Sequence, residues 1–124
     1  MGTLLDPDPE FGALNVNELR VMVSRDGESV LRRGRALMEL GRRASGDTAL
    51  LQEVADMIRA PENRRLTTVG TASVAQLGTA GLVAGCGETA LALARELAGE
   101  WPAGERSDFA WLIKNSGITW PREI

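Results

Sequence analysis

The stretch VLRRGRALMELGRRA, residues 30–44, carries the pattern that decides the fold class. Small or apolar residues recur in it at spacings of three or four, at Val30, Gly34, Leu37, Gly41 and Ala44. This is the spacing of one face of an α-helix, and arginines together with Glu39 fill the opposite positions. The stretch therefore predicts an amphipathic helix that begins near Ser29, buries one face and exposes a basic one.

Helical patterns continue on both sides of this stretch. Asn15, followed three residues later by Glu18, resembles a capping box that opens a short first helix. Asp47 is the predicted cap of a third helix. The remaining helices are predicted over about 65–84, 88–100 and 109–115. Since no segment shows a strand pattern, the predicted fold is all-α with about six helices.

Both ends of the chain lack the helical spacing. Residues 1–14 contain Pro7, Pro9 and Gly12 and are interpreted as an extended or mobile N-terminal arm. Residues 118–124 are interpreted as a C-terminal tail, which leaves a helical domain over 15–117. The first ten residues hold acids among prolines instead of the basic and apolar regions of a secretion signal, so a cytoplasmic, reducing location is expected.

The segment over 66–87 contains no charged residue and is long enough to cross a bilayer. It is rich in Thr, Ser and Gly, includes Gln76, and has scattered Leu and Val residues. A helix that is apolar on all sides is buried either in protein or in lipid. The content of this segment favours a buried central helix over a membrane span, and its small residues predict close helix packing.

Composition excludes several kinds of chemistry. The 124-residue chain has no His and one Cys, Cys86, so a His-activated nucleophile, a disulfide framework and a Cys-rich zinc site are unavailable. Carboxylate pairs such as Glu96 with Glu100, or Glu53 with Asp56, occur on most helix surfaces and give little support to acid and base catalysis. The sequence therefore predicts no enzyme activity, no cofactor and no metal site.

A short internal repeat suggests a repetitive architecture. The stretch GDTAL at 46–50 recurs as GETAL at 87–91, and AP at 60–61 recurs as WP at 101–102, in both cases after 41 residues. A period near 40 with two helices per unit is typical of α-solenoids.

The first unit resembles the bacterial HEAT-like repeats, which are armadillo-type helical repeats. The resemblance rests on an apolar residue followed by two arginines, an alanine and a Leu-Gly pair, here Leu31, Arg32, Arg33, Ala36, Leu40 and Gly41. It covers about 17–117, and the second unit departs from the pattern because its first helix is Gly-rich. The resemblance implies a short right-handed α-solenoid of antiparallel helix pairs that presents a face to a protein partner.

The candidate partner-binding residues are mostly arginines in the basic middle of the chain. They are Arg32, Arg35, Arg42, Arg43, Arg59, Arg64 and Arg65, with Arg33 beside them, and Trp120 in the tail. Residues 1–19 carry a net charge of −4 and residues 20–65 a net charge of +3. Three interpretations follow: a solvated face of ion pairs, a site for an acidic protein partner or the chain's own N-terminal arm, and a nucleic-acid site.

An overall charge of −3 and the lack of aromatic residues among these arginines make nucleic acid the weaker partner class. The sequence therefore predicts a non-enzymatic protein-protein interaction module, with a small nucleic-acid-binding protein as the alternative. Because a short solenoid leaves apolar end faces, a homodimer is also predicted.

Three tryptophans lie in the last quarter of the chain. Trp101 and Trp111 fall on apolar stripes and are predicted to pack in the core. Trp120 follows the last predicted helix and is interpreted either as a plug that folds back on the helices or as an anchor for a partner. Cys86, between two glycines, is interpreted as a small apolar residue in preference to a reactive thiol.

Overall fold

A computed structural model of the chain describes residues 8–67, 72–85 and 87–116. Within these ranges the structure is all-α, which confirms the predicted fold class, and contains eight helices and no β-strand. The helices are α1 Pro9–Gly12, α2 Val16–Ser24, α3 Val30–Arg43, α4 Thr48–Arg59, α5 Pro61–Arg65, α6 Val74–Ala84, α7 Glu88–Gly99 and α8 Ala103–Ser116.

The α3 and α6 helices form the centre of the molecule and pack together more extensively than any other pair of helices within the described ranges. They approach closely because glycines face the contact. A Cβ atom built on Gly81 would lie 2.1 Å from the carbonyl oxygen of Met38, and one on Gly41 would lie 2.8 Å from the carbonyl oxygen of Gly78. The small residues of the uncharged segment therefore serve the close packing that the sequence predicts.

The other helices surround this pair. The α2 and α4 helices pack on α3, α7 packs on α6 and α4, and α8 packs on α7. Leucines, valines and alanines from all of them join one continuous core, which also includes Phe109 and Ile113 from α8. No described helix is both long and apolar enough to span a bilayer.

Two helices begin at other residues than predicted. The helix predicted over 65–84 begins only at Val74, because the Ser73 side chain caps it and shares a capping box with Gln76. The last helix begins at Ala103 instead of near residue 109, and its first turn closes where the Arg106 amide donates to the Pro102 carbonyl.

The other two differences are helices that the sequence did not predict. Pro61, noted from the sequence only as part of the repeat, occupies the first position of α5, where a missing amide proton costs nothing. Residues 8–14 were expected to be extended or mobile, whereas Pro9–Gly12 forms α1, in which Phe11 is buried.

The two copies of the sequence repeat differ by one position in the structure. The residue that caps α4 is Asp47, but the residue that precedes α7 is Gly87, so the helix starts are 40 positions apart. The buried positions are also 40 residues apart. Leu50 and Ala90 are both buried, and so are the residues four positions after each, Val54 and Ala94. The link between α6 and α7 is thus one residue shorter than the link between α3 and α4.

Candidate protein-interaction face

The α3 helix positions four of the candidate arginines on one surface. Its apolar face is held against α6, which turns Arg32, Arg35, Arg42 and Arg43 toward the outside of the pair. Each of these side chains is only partly exposed, because other charged groups cover it. We call the surface formed by these four residues the α3 arginine face.

Two carboxylates of the N-terminal segment pair with this face. The Arg35 Nη1 atom lies 2.9 Å from Asp8 Oδ2, and the Arg32 Nη1 atom lies 2.8 Å from Glu10 Oε2. Hydrogen bonding to Glu10 is the main cause that raises the pKa of Arg32 above its ordinary value. Arg32 also contacts Glu28, one turn earlier, at 3.2 Å. The segment that precedes α2 is therefore bound across the α3 arginine face.

An aromatic side chain and two carbonyls complete the contact. Phe11 is 2% exposed and the Arg32 guanidinium lies 5.4 Å from its ring centroid, in the range of a cation–π interaction. The Arg43 Nη2 atom donates to the carbonyl oxygens of Phe11 and Gly12, in both cases at 3.1 Å. The contact combines charge, an aromatic anchor and main-chain recognition.

A nearly buried carboxylate fixes the end of the face. Glu39 is 8% exposed and accepts a 2.8 Å hydrogen bond from Arg43 Nε, while Arg42 Nη1 lies 3.4 Å from its other oxygen. A carboxylate this deep is stable only when it is paired, so Glu39 orients both arginines. The sequence places Glu39 among the arginines on the face opposite the apolar stripe, whereas the structure shows it nearly buried and paired with Arg42 and Arg43.

The remaining candidate arginines lie on α4 and α5, and two of them bind carboxylates that follow later in the chain. Arg59 Nη2 lies 2.7 Å from Glu100 and 3.7 Å from Glu96, and Arg64 Nη2 lies 3.0 Å from Glu105. Arg65 is exposed and forms no ion pair within the described part of the chain. These residues do not join the α3 arginine face; Arg59 and Arg64 tie the two halves of the fold together.

The Arg59–Glu100 pair makes a testable contribution to pH dependence. Hydrogen bonding from Arg59 lowers the pKa of Glu100 in the folded protein. A lowered folded-state pKa stabilises the fold above the ordinary glutamate pKa of about 4.3, and the effect is lost as the pH falls through the folded value. Because both side chains are largely exposed, Glu100→Gln should cost less than about 1 kcal/mol in urea unfolding at pH 7 and progressively less below pH 4.

Asp108→Asn is the matched control, because Asp108 is exposed on α8 and forms no ion pair with a described residue. It should leave the unfolding free energy unchanged at both pH values. Equal stability of Glu100→Gln and wild type at pH 7 would show that the pair contributes nothing.

Arg33 and the tryptophans lie elsewhere. The Arg33 side chain is buried, donates to the Arg25 carbonyl at 2.9 Å, and so belongs to the interior and not to the face. Trp101 is 5% exposed and packs edge-on against Phe109, which confirms its predicted place in the core. The same prediction is wrong for Trp111, which is 66% exposed because α8 buries the face that carries Phe109 and Ile113. Cys86 and Trp120 lie outside the described residues.

A second surface feature is a shallow groove of about 420 Å³ between α4 and α7. Leu51 and Gln52 on α4 face Leu93 and Glu96 on α7 across it. The described residues contain no group of three metal-ligating side chains. The groove offers apolar contact and a few hydrogen-bonding groups.

Fold and face together define a small all-α protein whose own acidic segment, residues 8–12, lies across a basic surface of α3. Comparison of the chain with family models, with curated proteins and with solved structures gives no match.

Proposed function

We propose that the chain is a non-enzymatic protein-protein interaction module, an adaptor or scaffold built on HEAT-like repeats, which binds an acidic segment of its partner. One observation carries the proposal. The α3 arginine face already holds a polypeptide segment, residues 8–12, through ion pairs, an aromatic side chain and main-chain carbonyls. These are the types of contact that determine specificity in protein interfaces.

The helix arrangement supports the same proposal. In a HEAT-like stack, corresponding helices of successive units lie side by side, and here α6 packs on α3 while α7 packs on α4. Such stacking leaves long helix surfaces open on both sides of the molecule. The groove between α4 and α7 is one such surface, and the α3 arginine face is a second helix surface, which residues 8–12 cover in this chain.

Nucleic acid gains no support as the partner. A nucleic-acid site uses positive charge that is available to phosphates. The arginines of the α3 face instead contact Asp8, Glu10 and Glu39. Their charge is directed toward carboxylates.

A capture experiment tests the proposal. Tagged wild-type chain and the double variant Arg32→Glu/Arg35→Glu are each used to capture proteins from a lysate of the source cells, followed by quantitative mass spectrometry. We expect a stoichiometric partner with wild type and at least about a tenfold loss with the variant, because each lost charge contact at an interface costs on the order of 1 kcal/mol or more.

The matched control is Arg95→Glu/Arg106→Glu, which changes the net charge equally. Both residues are exposed and neither forms an ion pair with a described residue. The control should retain the partner, and circular dichroism should show the same helix content in all three chains. Equal capture by both double variants would remove the α3 arginine face from the function.

A further inference from the structure

We infer that the α3 arginine face is a peptide-binding site whose ligand in the isolated chain is residues 8–12, and that its partner supplies the same chemistry. That chemistry is a helical turn with two carboxylates and one aromatic side chain. The inference rests on the proposed function and names the partner class. Binding in trans then requires that the partner segment displace the intramolecular one.

Residues 8–12 would not be helical in isolation. The α1 helix has four residues. A helix this short is not stable in water, because the free energy needed to nucleate it exceeds the free energy gained from one hydrogen-bonded turn. Only local groups cap it: the Asp8 side chain accepts from the Glu10 amide, and Pro9 sits at its first position. Its helical turn is therefore formed on the α3 arginine face, as expected of a ligand that folds when it binds.

The contacts specify what else the face can bind. Asp8 and Glu10 each meet a different arginine, and Phe11 is buried next to Glu10 while its ring lies under Arg32. Arg43 donates hydrogen bonds to carbonyl oxygens, which every polypeptide has, so this contact does not select a sequence. The required ligand thus has an acidic residue, a second acidic residue two positions later, and an aromatic residue directly after it.

The Glu10–Arg32 ion pair is exposed enough for another carboxylate to replace Glu10. Side chains of Glu10 and Arg32 are 56% and 42% exposed, so water and salt weaken their attraction. A short tether gives the intramolecular segment an effective concentration on the order of millimolar. If the same segment binds in trans with a dissociation constant on the order of 10 µM, the intramolecular copy lowers the apparent affinity on the order of 100-fold.

The probe is a fluorescent peptide with the sequence of residues 6–16, titrated against the full chain and followed by anisotropy. Wild type should bind it weakly. The Asp8→Lys/Glu10→Lys chain should bind it at least about tenfold more tightly, because repulsion from the arginines vacates the face. A second variant, Phe11→Ala, removes the aromatic anchor and should change the affinity in the same direction.

A charge exchange separates recognition from general loosening of the structure. The Asp8→Lys/Glu10→Lys/Arg32→Glu/Arg35→Glu chain should lose the natural peptide. The lysine peptide carries lysine in place of both acids. The fourfold variant should bind it as weakly as wild type binds the natural peptide, because the lysines at positions 8 and 10 of this variant pair with its glutamates at 32 and 35 and occupy the face. The Arg32→Glu/Arg35→Glu chain has no matched segment and should bind the lysine peptide at least about tenfold more tightly.

Three results would overturn the inference. One is equal and weak binding of the natural peptide to wild type and to both vacated chains. Another is loss of helix content in both vacated chains, which would make residues 8–12 a structural element only. The third is a wild-type dimer that Asp8→Lys/Glu10→Lys dissociates, because the occupant would then be a second copy.

If the peptide fails to bind but capture of a lysate partner still depends on Arg32 and Arg35, the proposed function stands without this inference.

Discussion

Replacement of Gly81 by alanine is expected to lower the free energy of unfolding by about 3 kcal/mol, at the upper end of the cost of overpacking a core. The added Cβ atom would lie 2.1 Å from the Met38 carbonyl oxygen and 2.8 Å from the Met38 carbonyl carbon. Both are backbone atoms, so no side chain can rotate away, and α3 and α6 must separate. Alanine favours a helix over glycine by about 1 kcal/mol, which does not offset the clash.

The measurement is guanidinium unfolding in which circular dichroism reports the helix content. Gly99→Ala is the matched control, because a Cβ atom on Gly99, the last residue of α7, meets nothing within 4 Å. The control should be neutral or more stable by up to about 1 kcal/mol. If Gly81→Ala behaves like Gly99→Ala, the helices do not approach as closely as the structure shows.

The close α3–α6 packing shows which parts of the fold the sequence can predict. Periodic spacing predicts α3, and the Asn15–Glu18 capping box predicts the start of α2, because both depend on residues close in the chain. The run of small residues predicts tight packing, but it does not identify the partner helix. That choice depends on how all the helices share one core, which no local pattern records.

The errors have the same origin. Ser73 and Gln76 stand in the spacing of a capping box, yet the uncharged run around them conceals the start of α6. The α1 helix has a local start signal, Asp8 followed by Pro9, but at four residues it has no apolar spacing, and contacts with α3 stabilise it. Trp111 fits an apolar stripe, but packing of Phe109 and Ile113 decides which face of α8 is buried.

The candidate site was predicted in part. The charge asymmetry between residues 1–19 and 20–65 indicates that an acidic N-terminal segment could pair with the arginines, and this was one of three interpretations. The sequence could not show that Arg59 and Arg64 belong to a different surface. Their partners lie directly after α7 and on α8, 41 residues away, so only the packing of the helices brings the charges together.

The effect of Gly78→Ala on the free energy of unfolding is expected to change sign when the residue opposite, Leu37, is replaced by alanine. In wild type the added Cβ atom would lie 2.6 Å from Leu37 Cγ, and the cost should be about 2 kcal/mol. Leu37→Ala alone should cost about 3 kcal/mol, because Leu37 is fully buried and its removal leaves a cavity. In the Leu37→Ala background the Gly78→Ala methyl enters that cavity and favours the helix, so stability should rise by about 1 kcal/mol.

A double-mutant cycle measures this coupling as the difference between the effects of Gly78→Ala in the two backgrounds, expected to be about 3 kcal/mol. Ile58 limits the recovery, since its Cγ1 atom lies 3.1 Å from the added Cβ position and must shift by a few tenths of an ångström. Gly104→Ala is the control: a Cβ atom there meets nothing within 4 Å, so its effect should be the same with and without Leu37. Additive effects of Gly78→Ala and Leu37→Ala would mean that the Leu37 side chain does not fill the space above Gly78, and the contact that aligns α3 with α6 would have to lie elsewhere.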